Sequence, residues 1–257
     1  MTGGTGRLGQ RLIGLLQEAG HSVRQLSRRG TGPGGVRGDL SGGRDPGGAA
    51  DLAAALAGAE AVVHAATDPR DPWQVDVAGT RRLAQAVDRG RMRHLVYVSV
   101  VGVDRIPYGY YHAKFAAEQV LLASGLPVTL LRVTQSHEFV DHLLATARRG
   151  PVLPVPMGWR VQPVDLVDVA EHIAGLVAGP PAGGVVEFGG PEELAVADVA
   201  RSWAVAREPG AHVVATPIPG RLGSAVRAGA FLPTSGARGR RTYAEHLAAD
   251  GDGLTTA

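Results

Sequence analysis

The chain has 257 residues, 44% of them apolar and 19% charged, with a formal net charge of +2 and a pI near 9.3. That length suffices for one sizeable core, or one domain with a small appended lobe, and no apolar run is long enough to span a bilayer. The absence of cysteine excludes disulfides, thiolate catalysis and cysteine-ligated zinc.

In chain order, a glycine cluster at residues 3–9 leads into a predicted helix over Leu8–Ala19, stopped by Gly20. His21–Leu26 reads as a strand, Asp51–Ala57 as a short helix and Ala61–Ala65 as a strand buried on both faces. A helix is predicted over Val75–Arg89, a strand over His94–Val100, a helix over Tyr110–Ser124 and a strand over Val128–Val133. Beyond these, helices are predicted near Glu138–Arg149, Leu166–Ala178 and Val196–Ala206, with a strand at Val185–Phe188. The tail after Pro217 is poorly periodic and is expected to wrap the surface. Short apolar runs alternating with helical patterns indicate an α/β fold with a parallel sheet. The boundaries expected are a dinucleotide-binding core over 1–135 and an interleaved C-terminal substrate lobe over 136–257 that completes the same domain.

The loop Thr2-Gly3-Gly4-Thr5-Gly6-Arg7-Leu8-Gly9 spaces glycines at 3, 6 and 9. The first permits a tight turn, the second a close approach of backbone to a diphosphate, the third close helix–sheet packing. The helix start then offers free N–H groups and a positive dipole end to phosphates. Gly3, Thr5, Gly6, Arg7, Leu8 and Gly9 are therefore candidate cofactor-binding residues. The fold expected is a Rossmann-type doubly wound sheet whose first strand is missing before residue 2. The expectation is that the native chain carries roughly six to eight further residues there, about one strand's length.

The second strand ends in Leu26-Ser27-Arg28-Arg29. An NAD-preferring chain usually places a carboxylate there for the ribose hydroxyls. A hydroxyl followed by two guanidiniums suits a 2′-phosphate instead, so NADP(H) is favoured over NAD(H). Asp39, within Gly38-Asp39-Leu40, is placed near the adenine, and Ala65, Ala66 and Thr67 beside the cofactor cleft.

Of the 26 Lys and Arg residues, Lys114 is the only lysine. In a chain that otherwise uses arginine, a lone lysine marks a place that needs a compact ammonium. Tyr110 lies one helical turn before it, on the same face. A neighbouring ammonium favours phenolate and is expected to lower the tyrosine pKa from about 10 toward the range of acid–base work.

With these residues the chain resembles the short-chain dehydrogenase/reductase superfamily, in its atypical, NmrA-like NAD(P)H-binding branch. The resemblance rests on TGGTGRLG at 2–9, Asp76-Val77-Ala78-Gly79-Thr80, Tyr97-Val98-Ser99, and Tyr110 with Lys114. It extends through Ser124-Gly125-Leu126-Pro127, Leu131-Arg132, Pro163-Val164-Asp165 and Asp168-Val169-Ala170. It implies Tyr110 as proton donor to a substrate carbonyl and Lys114 as the residue that orients the ribose and tunes the tyrosine. The family's catalytic hydroxyl, often the second of a Ser pair, meets Val100 here. Ser99 either stands in for it or contacts the cofactor. Loss of such a hydroxyl costs about 2.7–4 kcal/mol by analogy with an oxyanion donor. Asp76 stands where the motif commonly has asparagine. His137, in Thr134-Gln135-Ser136-His137, either touches substrate or is structural.

The nine histidines show no metal-ligand spacing, no G-x-S-x-G occurs, and no lysine follows a glycine-rich stretch, so metal, hydrolase and Walker readings are set aside. A charge of +2 is a weak field for nucleic acid, and Arg238–Arg241 reads as a solvated tail segment. A cytoplasmic protein without a membrane partner is expected. Two functions lead: an oxidoreductase acting on a small carbonyl, quinone or enone, or a non-catalytic NADP(H)-binding regulator that reports redox state to a protein partner. A third, epimerase-like sugar-nucleotide chemistry, is disfavoured by the short C-terminal lobe.

Overall fold

The computed structural model describes residues 1–30, 34–42 and 48–251. Helix α1 (Arg7–Glu18) leads from the glycine loop to β1 (Gln25–Ser27) and the parallel β2 (Gly35–Arg37). After α2 (Gly48–Leu56) and β3 (Ala61–His64), a π-helical turn at Trp73–Ala78 runs directly into α3 (Gly79–Ala86). Next come β4 (His94–Val100), α4 (Gly109–Leu122), β5 (Val128–Val133) and α5 (His137–Ala147). Strands β6 (Val152–Pro156) and β7 (Arg160–Val161) precede α6 (Leu166–Ala178), β8 (Gly184–Gly189) and β9 (Leu194–Ala195). The chain closes with α7 (Val196–Arg207), β10 (His212–Thr216), α8 (Gly220–Arg227), β11 (Ala237–Arg238) and α9 (Tyr243–Gly251).

The central sheet is parallel, in the order β11-β8-β5-β4-β3. Every residue of β5 is buried, as expected for a strand covered on both faces. One face carries Leu95, Tyr97 and Leu130 against Leu52 of α2, Leu83 of α3 and Leu121 of α4. The other carries Val63, Val96 and Leu131 against Leu12 and Leu16 of α1 and Ile173 of α6. This is the doubly wound arrangement read from the alternating pattern.

Met1 and Thr2 lie between β1 and β3. Thr2 bridges both Leu26 and His64, Leu26 N–H donates to the Met1 carbonyl (2.8 Å), and Thr2 N–H to that of Val63 (2.9 Å). Toward the amino ends of β1 and β3 the walls part around a cavity of about 930 Å³, lined by Val23, Arg24, Val62 and His94 among others. Residues 21–24 border that cavity without strand pairing, so β1 is shorter than the predicted His21–Leu26.

Three further expectations need correction. The predicted helix Val75–Arg89 is a π turn, with Asp76 and Val77 buried, followed by a shorter α-helix that ends at Ala86. The tail after Pro217 does not merely wrap the surface. Val226, Tyr243 and Leu247 are buried, and β11 extends the central sheet beside β8. Nor is the basic run Arg238–Arg241 a free solvated segment: Asp168 accepts from the backbone N–H of Arg240 (2.6 Å) and Arg241 (2.9 Å), and pairs with the Arg241 side chain. A third core, from α5, β6, α7 and α9, holds Leu144, Leu153, Trp203 and Leu247 together. Among the described residues, no helix is long and apolar enough to cross a membrane.

Candidate active site

The glycine loop sits at the carboxyl edge of the sheet, where ligands bind in open α/β folds. Gly3 has φ of +70°, and a Cβ on it would lie 2.7 Å from the Ala65 carbonyl carbon. The loop is thus laid directly on Ala65-Ala66. A Cβ on Gly9 would lie 2.6 Å from Gly4 Cα and closer still to the Gly3 carbonyl oxygen. Gly6 caps α1 without any side-chain hydrogen bond, and Thr5, Gly6 and Arg7 are exposed. The first amides of α1 are consequently available to an anion. A diphosphate fits this exposed cradle of free amides, and a side chain at Gly3 or Gly9 would push the loop off Ala65 or off the start of α1 and so disturb it. We expect Gly9→Ala to weaken NADPH binding by about tenfold or more, an overpacking cost of about 1–3 kcal/mol. A Cβ on Gly14, in the same helix, would meet nothing within 4 Å, so Gly14→Ala serves as control. Equal NADPH titration curves for the two variants would rule out the cradle.

Thr2 fixes the loop from beneath. Its hydroxyl pairs with His64 Nδ1 (2.7 Å) and accepts from Ala66 N–H (3.2 Å), while His64 Nε2 pairs with Thr80 Oγ1 (2.9 Å). Burial, aided by the Lys114 charge, pushes the His64 pKa down to about 3. The ring is therefore neutral in this chain of hydrogen bonds.

At the end of β1, Ser27 Oγ accepts from Gly30 N–H (3.0 Å), and Arg28 and Arg29 are exposed on the turn. Asp39 accepts from the backbone and hydroxyl of Ser41 (2.8 and 2.7 Å), so its carboxylate shapes the following turn.

The remaining candidates converge from β3, the π turn and α4. Thr67 Oγ1 donates to Asp76 Oδ2 (3.1 Å) and lies 3.1 Å from Tyr110 Oη. Thr67 has one hydrogen and gives it to a carboxylate, so the tyrosine hydroxyl is the donor in the second bond. Asp76 Oδ1 is 3.4 Å from Lys114 Nζ, and both side chains are buried. Lys114 Nζ also donates to the Val98 carbonyl (2.8 Å) and lies 4.3 Å from the centre of the Tyr97 ring. Burial pulls the Lys114 pKa down, and the Asp76 carboxylate opposes that shift. Tyr110, Thr67, Asp76 and Lys114 therefore form one polar line beside the glycine loop.

The expected lowering of the Tyr110 pKa is not observed. Burial, together with the Asp76 charge, pushes it up to about 12. The ammonium that was to favour phenolate is turned to Asp76 and Val98 instead.

Ser99 is placed differently from the other candidates. Its buried hydroxyl donates to Glu118 Oε1 (2.5 Å), and Glu118 also accepts two bonds from Arg132 (3.0 and 2.7 Å). The hydroxyl is committed to a structural ion pair. The sequence signal for Glu118 is its position one turn after Lys114, on a helix face that is otherwise apolar and buried. The partner of Lys114 was not foreseen, because Asp76 and Lys114 belong to separate elements that meet only in the fold. His137 is fully buried, 3.7 Å from Asp165 and in ring contact with Tyr243 and His246, within the C-terminal core.

Comparison with known proteins gives a family and a fold. The family described as NAD(P)H-binding matches residues 3–142. A short-chain dehydrogenase/reductase superfamily protein from Agrobacterium tumefaciens with bound NAD superposes with a TM-score of 0.71 at 20% identity, covering 98% of this chain and 95% of that one. An NADPH-dependent quinone oxidoreductase from Escherichia coli complexed with NADPH gives 0.75 at 19% identity, over 96% and 98% of the two chains. A nucleoside-diphosphate-sugar epimerase from Staphylococcus aureus gives 0.76 at 15%, over 96% and 98%. In the rice protein TIC 62, chloroplastic, 74 residues are 31% identical, spanning 25% of this chain and 15% of that protein. The neighbours share the fold that the motifs implied.

Proposed function

Because the chain belongs to the NAD(P)H-binding family, we propose that it is an NADP(H)-dependent reductase of a small carbonyl, quinone or enone, with Tyr110 as proton donor. The observation that carries this reading is the polar line Tyr110–Thr67–Asp76–Lys114 beside the glycine loop, two hydrogen bonds followed by a buried ion pair. The loop amides and the start of α1 would hold the diphosphate and Ala65 and Ala66 would form the cleft wall, while Lys114, buried against Asp76 and the Val98 carbonyl, would act through that carboxylate on the line that ends at Tyr110. When bound, the dinucleotide supplies the hydride to the carbonyl carbon. Tyr110 supplies the proton to the carbonyl oxygen. With its pKa near 12 it stands protonated at neutral pH, the form that a reduction consumes. The quinone oxidoreductase among the structural neighbours supports a conjugated carbonyl as substrate. A cytoplasmic address is part of the same proposal.

A second reading, a regulator that binds NADP(H) without turnover, is favoured by one observation: Ser99 is committed to Glu118, and Val100 follows it. NADPH oxidation by the full chain over a panel of carbonyls and quinones separates the two. Substrate-dependent loss of NADPH supports the reductase. Tight NADPH binding with no acceleration by any member of the panel assigns the regulator.

The preference for NADP(H) is proposed from the exposed guanidiniums of Arg28 and Arg29 after β1. Removing one charge-assisted contact costs about 1.5–3 kcal/mol, so Arg28→Ala should weaken NADPH by roughly 10- to 100-fold and leave NADH nearly unchanged. Equal losses for both dinucleotides, measured by calorimetry, would refute the preference.

A further inference from the structure

The carboxyl edge of the sheet carries an aromatic tier that the proton-donor chemistry does not use. From Tyr110 the ring contacts run to Tyr111 (6.0 Å, edge-on), then to Phe231 (6.4 Å), then to Trp159 (5.6 Å, edge-on). Tyr108 adds a further edge contact to Tyr111 (6.3 Å). These residues come from three places: the start of α4, the turn between β6 and β7, and the segment after α8. Beside them lies Gln135, 8% exposed, whose amide nitrogen and oxygen both lack a hydrogen bond among the described residues. The Gln135 side chain meets the Tyr111 hydroxyl in a contact that opposes the upward shift burial gives that phenol, but the contact lacks hydrogen-bond geometry and leaves both amide atoms unsatisfied. Its backbone is fixed, since its carbonyl accepts from Val164 N–H (2.9 Å) and its neighbour Ser136 bridges Val164.

A buried amide with neither end satisfied costs about 1–3 kcal/mol. Such a group is expected to have a partner that the fold alone does not provide. The Trp159 indole nitrogen, buried and unpartnered in the same tier, adds a second donor without an acceptor. Aromatic faces and edges favour a flat ring, and the buried donors favour an oxygen on that ring.

We propose that Gln135 and the Tyr111–Phe231–Trp159 tier form the specificity subsite, and that the ligand is a flat, conjugated carbonyl compound bearing a second oxygen, which accepts from the Gln135 amide. The proposal rests on the reductase reading for the first oxygen, which faces Tyr110. A ligand with a single oxygen leaves the amide unsatisfied and loses about one hydrogen bond.

The test is calorimetric titration of the full chain, loaded with NADP⁺ so that no turnover occurs, with 1,4-naphthoquinone and with 1-tetralone. The two share a bicyclic frame; 1-tetralone lacks the second carbonyl and also the flat C2=C3 bond, so the Gln135 variants isolate the contribution of the second oxygen. The chain has no cysteine, so quinone addition to thiols does not confuse the titration. The quinone is expected to bind about tenfold tighter, a difference of about 1.4 kcal/mol. Gln135→Leu and the near-isosteric Gln135→Glu should each erase that difference, and Trp159→Leu should weaken both ligands. Equal binding of the two ligands to the wild type, or no binding of either, overturns the proposal, as does a preference that survives in a folded Gln135 variant. Preferential binding of the quinone without NADPH oxidation in its presence would overturn the reductase reading and leave the subsite standing.

Discussion

Tyr110→Phe is expected to lower the rate of NADPH oxidation by about 10²–10⁴-fold, the usual contribution of a positioned general acid, while NADPH affinity changes little. The substitution removes one oxygen from a half-buried ring and leaves Thr67 still donating to Asp76. Lys114 keeps its own partners, Asp76 and the Val98 carbonyl. The pH profile provides a second check. A group whose pKa is raised to about 12 stays protonated through the neutral range, so the wild-type rate should not fall with pH until well into alkali on account of Tyr110. Stopped-flow oxidation of NADPH with the best member of the substrate panel measures both. A Tyr110→Phe rate within about threefold of wild type would place the proton donor elsewhere.

Arg132→Met is expected to lower the melting temperature by about 6–20 °C, from a loss of about 3–5 kcal/mol when one partner of a buried ion pair is removed. Glu118 is fully buried between α4 and β5, and Arg132 meets it through two nitrogens while also bonding Asp104 (2.8 Å). Without the guanidinium, Glu118 keeps only the Ser99 hydroxyl among the described residues. The double variant Glu118→Leu with Arg132→Met should recover much of the loss, because no uncompensated charge remains. Thermal melts followed by circular dichroism decide it. A single-variant midpoint within about 2 °C of wild type, less than 1 kcal/mol in a chain of this size, would show that the pair carries little weight.

The sequence-legible parts of the molecule are those where one local rule prevails. Strands His94–Val100 and Val128–Val133 and helix Leu166–Ala178 match their predicted bounds, since continuous β-branched runs and a 3.6-residue period leave little choice. The pairing of Val152–Pro156 with His212–Thr216 was not legible. Two prolines argue locally against a strand, and the partner lies some sixty residues away. The tail hid its helix Tyr243–Gly251 because its buried residues, Tyr243 and Leu247, give too short a stripe to show a period. In the site, spacing alone located the glycine loop and the Tyr110/Lys114 pair. It did not reveal that Asp76 holds Lys114, or that Glu118 holds Ser99, since both contacts join separate elements across the core.

The histidine beneath the glycine loop has a consequence for acid conditions. Between pH about 6.5 and about 3, unfolded His64 binds a proton that the folded chain refuses, so acidification favours unfolding throughout that interval. His94, His137 and His172 are depressed in the same direction by burial, and their effects add to it. Above pH 6.5 this protonation linkage vanishes, and the floor of the dinucleotide cradle carries no charge of its own. Mild acid should therefore release bound dinucleotide by melting the protein rather than by titrating the loop, so that loss of affinity and loss of near-ultraviolet dichroism fall on one curve. Release that precedes the melt would point to a titrating group nearer the ligand.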